Sequence, residues 1–483
     1  MPLESDKVGG FKLDLDTVLN TGAYPSLFAN KVPLWEFSEN VQFTEVGAEK
    51  IRGRELWADT GNSSPIVGLV QTQRTGEPTA YFGDLTKLYY KIDEGAVVEA
   101  GTGYTTQEDE DGLIVAGKWS FAEYGSFILA TNGVDTPQID KGSNFIDVVG
   151  MDVDKVRIFA KMGPHVLGFN TDCSDREFIW CDADNLDQWV AAADNLAGQL
   201  QIREFSTEIK AVVPLGQRLA VYGDEQMALV NYLSNDLVFG YKMALNGIGA
   251  VSQNAVVAVG RKNYGLSSQG FFMTDGAGFD YIDDPAMAKW WRENRNPDQL
   301  SKTVAYHFED TNQVKWFFPI GSSTVANYGV SYNYEKGTWS FLSEAYESCQ
   351  ERNVFRVPVL GDAGGRVFLD NVGDNDHDGT AIPYTLRTKA LDLGNADVIK
   401  ELDSIRIGMR GQGLRYKVGW SEDEQSTITW DAFVGPIDED NGFDFTNHRT
   451  AGRWLHIEFS GSVVDADWEL SSVQIIGRSE GTR

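Results

Sequence analysis

The chain has 483 residues, with 71 acidic side chains against 41 basic ones and a net charge of −30. Such a balance excludes a strong general grip on nucleic-acid phosphates, which needs a basic face and releases counterions. Hydrophobic residues at 42% and aromatics at 12% exclude global disorder, and 50 glycines against 14 prolines point to many tight turns.

The N-terminus, MPLESDKVGGFKLDLD, lacks a basic stretch followed by an apolar one, so no secretory signal is expected there. No run approaches the ~18 apolar residues needed to span a bilayer, so no stable membrane insertion is expected. Three cysteines cannot build a disulfide framework in a chain this long, which implies synthesis in a reducing cytoplasm. Two of them, Cys173 and Cys181, read as buried small hydrophobes.

Residues 1–60 read as an N-terminal arm with first strands. From there a pattern repeats: a short apolar strand, a glycine-containing turn, another apolar strand. It appears at 66–90, 118–133, 156–180, 209–230, 255–281 and 304–339, each unit holding three or four strands. A spacing of roughly 45–60 residues suits the blades of a β-propeller, so about six blades are expected over 61–375. One interruption stands out. Asp283, Asp284 and Pro285 precede a run of helix formers, 286–292, which reads as a capped helix ending near Asn296 and Pro297. Its adjacent Trp290 and Trp291 cannot both face a core, so one should be half-exposed. The polar stretch 371–379 reads as a boundary, and 380–483 as a separate β-sandwich-like domain. Strict alternation at 405–409 and 455–459 marks half-buried strands there.

Catalytic patterns are missing. No phosphate-binding Walker loop occurs, and Gly247-Ile248-Gly249 is only a fragment of a dinucleotide fingerprint. No G-x-S-x-G elbow occurs, and the histidines (His165, His307, His377, His448, His456) show no zinc spacing. Asp374, Asp376 and Asp378 before Gly379 resemble the start of a calcium loop, but position twelve is Thr385 rather than a bidentate Glu. A solvated turn is the expected reading, as it is for the acidic runs 108–111, 422–424 and 438–440. The 333–339 hairpin is faintly similar to the Asp-box turn of sialidase propellers, without the motif's Asp. No catalytic, cofactor or metal residue is therefore nominated, and no enzyme activity is expected.

Taken in order, the strand of 156–159 with the turn 182–189, the segment 216–225, Gly247–Ala250 with 270–273, the helix, 330–339, and finally 452–459 with 468–470 resemble the tail hub, or nozzle, of short-tailed bacteriophages. This family is also called the packaged-DNA stabilisation protein. The resemblance implies a six-bladed propeller with a second β domain, assembled as a hexameric ring below the tail adaptor, the head-to-tail connector. It implies neighbouring tail proteins such as fibres, a location in the virion tail, and viral DNA passing through the ring without specific binding. An acidic or neutral channel wall follows, since a lysine-lined tube would stall a passing phosphate backbone. The runner-up is a carbohydrate-active or carbohydrate-binding propeller, with aromatic and carboxylate side chains around a central pocket.

Overall fold

The structure, a computed structural model, describes residues 4–5, 10–14, 34–108, 114–116, 118–233, 237–373, 376–392, 396–424, 426–438 and 451–479. Asp374, His448, residues 109–111 and 439–440 of the acidic runs, and residues 1–3, 6–9 and 15–33 of the expected N-terminal arm lie outside these residues. The chain divides into two compact units. One holds 56–329 and 344–369, the other 1–55, 330–343 and 370–483.

The first unit is a β-propeller. Five four-stranded antiparallel sheets follow one another in the chain, starting at Gly68–Arg74, Ser120–Tyr124, Val156–Met162, Ala211–Leu215 and Val256–Val259. A sixth is assembled from Ser348–Gln350, Val359–Gly361 and Arg366–Asp370, with Arg54–Asp59 beside the last of these. Thr60 N donates to Gly365 O at 3.1 Å just past that strand. The ring therefore closes by joining chain segments some three hundred residues apart. Inner strands adjoin in chain order and return to the first, with Val304–Phe308 of the hairpin Val304–Phe308/Gln313–Phe318 between the fifth and the closing sheet.

Turn chemistry explains the repeat. The hairpin joining the first two strands of the five consecutive sheets carries Gly76, Gly125, Gly163, Gly216 or Gly260, all at φ between +61° and +88°. Left-handed backbone costs glycine little, and tight hairpins match the strand twist only there. Asn312, at φ +56°, takes the same place in the 304–318 hairpin. Between sheets lie separate apolar layers. Tyr81, Leu88, Trp119, Ile128 and Phe145 fill the first gap, and Phe169, Phe178, Trp180, Leu219, Val230 and Phe239 a later one. Trp57, Ala80, Phe82, Val359 and Val367 fill the gap at the closure. Each fully buried large apolar side chain contributes about 1.5–3 kcal/mol.

The first five expected repeats coincide with these sheets; the sixth does not. Of 304–339, only the 304–318 hairpin sits in the ring, while 330–343 belongs to the other unit. The true closing sheet went unread because its strands are three to six residues long and one comes from the expected arm. The helix spans Pro285–Asn294. Asp284 caps it by accepting from Met287 N at 2.7 Å. Trp291 is fully buried, whereas Trp290 is half-buried beside Tyr328, ring centroids 5.7 Å apart.

The second unit is a β-sheet domain. Its strand order runs Gly10–Asp14, Asp467–Ser479, Lys400–Ser421, Trp454–Gly461, Tyr384–Thr388, Trp35–Glu39 and Thr338–Leu342. The 22-residue strand Lys400–Ser421 is its spine. Its first half pairs with Asp467–Ser479 and its last residues with Trp454–Gly461. The change of partner falls at Gly411 and Gly413, both left-handed, and a Cβ on Gly411 would sit 1.8 Å from Asp467 O. One sheet thus wraps a single core that includes Trp35, Ile405, Tyr416, Ile457, Phe459, Trp468 and Ile475. Ile405, Ile407 and Met409 alternate with half-exposed Arg406 and Gly408, as expected. The segment 455–459 corrects that reading, since His456 and Glu458 are buried as well. His456 Nε2 lies 2.9 Å from Ser421 Oγ, and Glu458 pairs with Lys417 at 2.8 Å and Arg387 at 2.9 Å, so partners cover the second face.

Candidate functional site: a cavity on the propeller axis

A cavity of about 230 Å³ lies where the inner strands converge. Its walls come from nearly every sheet: Leu69 and Val70, Ser120 and Phe121, Ile158, Val212, Gln253 and Asn254, then Ser348 and Gln350. Repetition of one supersecondary unit around an axis brings these residues together, although they span 280 positions of sequence.

Lys118, Gln253, Thr303 and Glu347 lie one to three residues ahead of four inner strands, and of these Gln253 lines the cavity. Lys118 Nζ donates to Thr303 O at 3.1 Å, and Ser252 Oγ donates to the same carbonyl. Glu347 Oε1 accepts from Ala326 N at 2.7 Å. Burial pushes the Lys118 ammonium down to about 8, against the pull of Glu347. Burial likewise pushes the Glu347 carboxyl up, against Lys118 and Lys302.

Several wall groups keep unused hydrogen-bonding capacity. Gln253 is 9% exposed, and neither its amide nor that of Asn254 has a partner among the described residues. Gln350, also on the wall, accepts at Oε1 from Gln71 N at 2.6 Å.

The sequence-level candidates fall elsewhere. Asp376 Oδ1 accepts from Gly379 N at 3.0 Å, and Asp378 sits at φ +49°, so both shape the tight turn of a small hairpin. Among the described residues no three His, Cys, Asp or Glu side chains form a group able to hold a metal ion. A Cβ on Gly249 would meet Asp224 O at 2.0 Å, so Gly247-Ile248-Gly249 serves a close backbone crossing between sheets. Cys181 is buried with Sγ 3.2 Å from Val166 N, but Cys173 is exposed in the turn after His165–Thr171, which corrects its expected burial. No helix among the described residues is long and apolar enough to cross a membrane. Sequence reading named none of the wall residues, and the carboxylates of its runner-up central pocket are not on this wall. The one available signal was a polar residue ahead of successive apolar strands, at Lys118, Gln253, Thr303 and Glu347.

No protein-family model matches the chain, and no curated protein matches it. Among solved structures it is similar to PorZ, a bacterial surface component of the type-IX secretion system of Porphyromonas gingivalis, at 10% identity and a TM-score of 0.39. That match covers 74% of this chain but 44% of PorZ, so the chain spans less than half of that protein, and at this TM-score it carries no argument.

Proposed function

We propose that the chain is a structural component of a short-tailed bacteriophage tail: a hub, or nozzle, that forms a sixfold ring below the adaptor, retains the packaged genome and conducts it at ejection. The observation that supports this reading is the pairing of a β-propeller with a β-sheet domain, the two parts that the tail-hub resemblance implies. The axial cavity of one chain, at about 230 Å³, holds a small molecule and not a duplex. A conduit for DNA therefore has to be built between copies, as a cyclic heterologous interface would build it. The net charge of −30 supplies an acidic or neutral lining, and ions screen its repulsion of DNA over about 8 Å at physiological salt.

A glycosidase reading requires two carboxylates about 5–9.5 Å apart around the scissile bond. The wall of the cavity includes none. The tail reading is tested with particles assembled without this chain. They should package DNA and then lose it, and full retention of the genome would contradict the proposal.

A further inference from the structure

We propose that the outer face of the sheet domain carries a binding site for an acidic sugar unit of a polysaccharide, in which Arg415 and Lys417 take the negative charge and Trp430 and Phe433 take the sugar ring. This assignment does not depend on the tail reading, since it rests on side chains within one domain.

Strand alternation builds the site. On three adjoining strands Leu414, Tyr416 and Val418, then Ile457 and Phe459, then Tyr384 and Leu386 belong to the core. The side chains between them, Arg415, Lys417, Glu458 and Arg387, therefore share the opposite face. They are three cations and one carboxylate, in a chain whose net charge is −30. Glu458 is engaged on both oxygens, by Lys417 at 2.8 Å and Ser460 Oγ at 3.0 Å on one and by Arg387 at 2.9 Å on the other. Arg415 has no such partner: its Nε is buried without an acceptor, and no carboxylate among the described residues pairs with its guanidinium. Aromatic rings frame these cations. Lys417 Nζ lies 4.6 Å from the centre of the Trp430 ring and 4.9 Å from that of Phe433, and the Arg415 guanidinium stands 5.0 Å from Phe433. Trp430 has room because residue 419 is glycine, where a Cβ would come within 2.6 Å of the indole ring. Phe433 is 43% exposed. An exposed ring beside an uncompensated guanidinium suits a ligand with a flat apolar face and an oxyanion at its edge. A sugar acid has both. A DNA duplex has the oxyanions, but at about one charge per 1.7 Å it meets the repulsion of the whole acidic chain, whereas a sugar chain carries at most about one charge per ring.

The test uses the full chain and an oligogalacturonate of about six units as probe, followed by calorimetry and saturation-transfer NMR. Dextran of the same length supplies rings without charge, polyphosphate supplies charge without rings, and a short DNA duplex is the competing class of polyanion. Oligogalacturonate should bind saturably at one site, with dextran, polyphosphate and duplex each about tenfold weaker or more. Arg415→Gln and Phe433→Ala should each weaken oligogalacturonate about tenfold, and Lys289→Met, on the exposed face of the propeller helix, should not. Should Arg415→Gln fail to fold, the Phe433→Ala result decides. Absence of saturable binding, polyphosphate or duplex binding as tightly as oligogalacturonate, or wild-type affinity in Arg415→Gln or Phe433→Ala would overturn the assignment.

Discussion

The propeller and the sheet domain are both all-β, yet they are written in the chain in different ways. In five propeller sheets every strand pairs with its immediate neighbour in sequence, mostly through short turns, the longest connection being 181–197 in the third sheet. In the sheet domain, strands from the first fourteen residues, from 35–39, from 338–342 and from 384–479 lie side by side. The loop-closure entropy of those long connections is offset only when most strands are in place. Local pairing should make the propeller tolerant of single losses, and non-local pairing should make the sheet domain and the closing sheet fail together.

The largest expected effect comes from deleting residues 1–60. If they were a detachable arm, the propeller would survive intact. Because Arg54–Asp59 completes the closing sheet and Gly10–Asp14 pairs with Gln474–Arg478, the truncated chain should lose its cooperative unfolding transition. Calorimetry showing an unchanged transition would break the comparison.

Next come two substitutions of similar weight and different mechanism. Trp119 is buried between the first two sheets and donates from Nε1 to Asp84 O at 2.8 Å, so Trp119→Ala should cost about 3–5 kcal/mol. On the closing sheet, Arg54 and Asp370 form a buried pair at 3.0 Å, with side chains 1% and 3% exposed. Asp370→Asn removes the carboxylate charge that faces the buried guanidinium and should cost about 3–5 kcal/mol, whereas replacing both partners with apolar residues should cost far less. Urea unfolding of the single and double variants checks this. A double variant as unstable as Asp370→Asn would contradict it.

Smaller in size but sharper in contrast is pH. Burial pushes the Asp283 carboxyl of the propeller unit up to about 6, so its contribution is complete below its ordinary range near 4 and is lost as pH rises through 6. Burial pushes His456 of the sheet domain down to about 4, so its contribution is complete above about 6.5 and is lost as pH falls through 4. Each amounts to about 1–2 kcal/mol after solvent screening. Asp283→Asn should raise Tm at pH 7.5 and leave it unchanged at pH 3.5, while His456→Gln should flatten the acid limb. Parallel pH profiles for the two variants would show that the units are not tuned in opposite directions.

The same contrast governs what the sequence reveals. The 118–133 and 255–281 repeats were legible because apolar strands, a left-handed glycine and the next strand sit within about twenty residues. The helix was legible from Asp284, Pro285 and the run of helix formers that follows them. The hairpin at 330–343 looked like more propeller because its strands alternate in the same way, and only its partner at Trp35–Glu39 assigns it to the sheet domain. In Lys400–Ser421 the residues Gly411, Gln412 and Gly413 have the composition of a turn, while the structure uses them to bend one strand across two partners. His456 and Glu458 looked solvent-facing because their alternation is polar. Their covering partners, Ser421, Lys417 and Arg387, come from other strands. The axial cavity was illegible for a related reason: each sheet contributes one or two ordinary residues, and only the ring makes them a site.

The most direct test of the central claim is an electron cryo-microscopy reconstruction of the intact particle at the level below the adaptor. The account predicts six copies of this chain around the tail axis, with density for a propeller and a sheet domain in each and an acidic or neutral wall facing the DNA. A single copy, another symmetry, or a continuous ring of Lys or Arg facing the axis would contradict it.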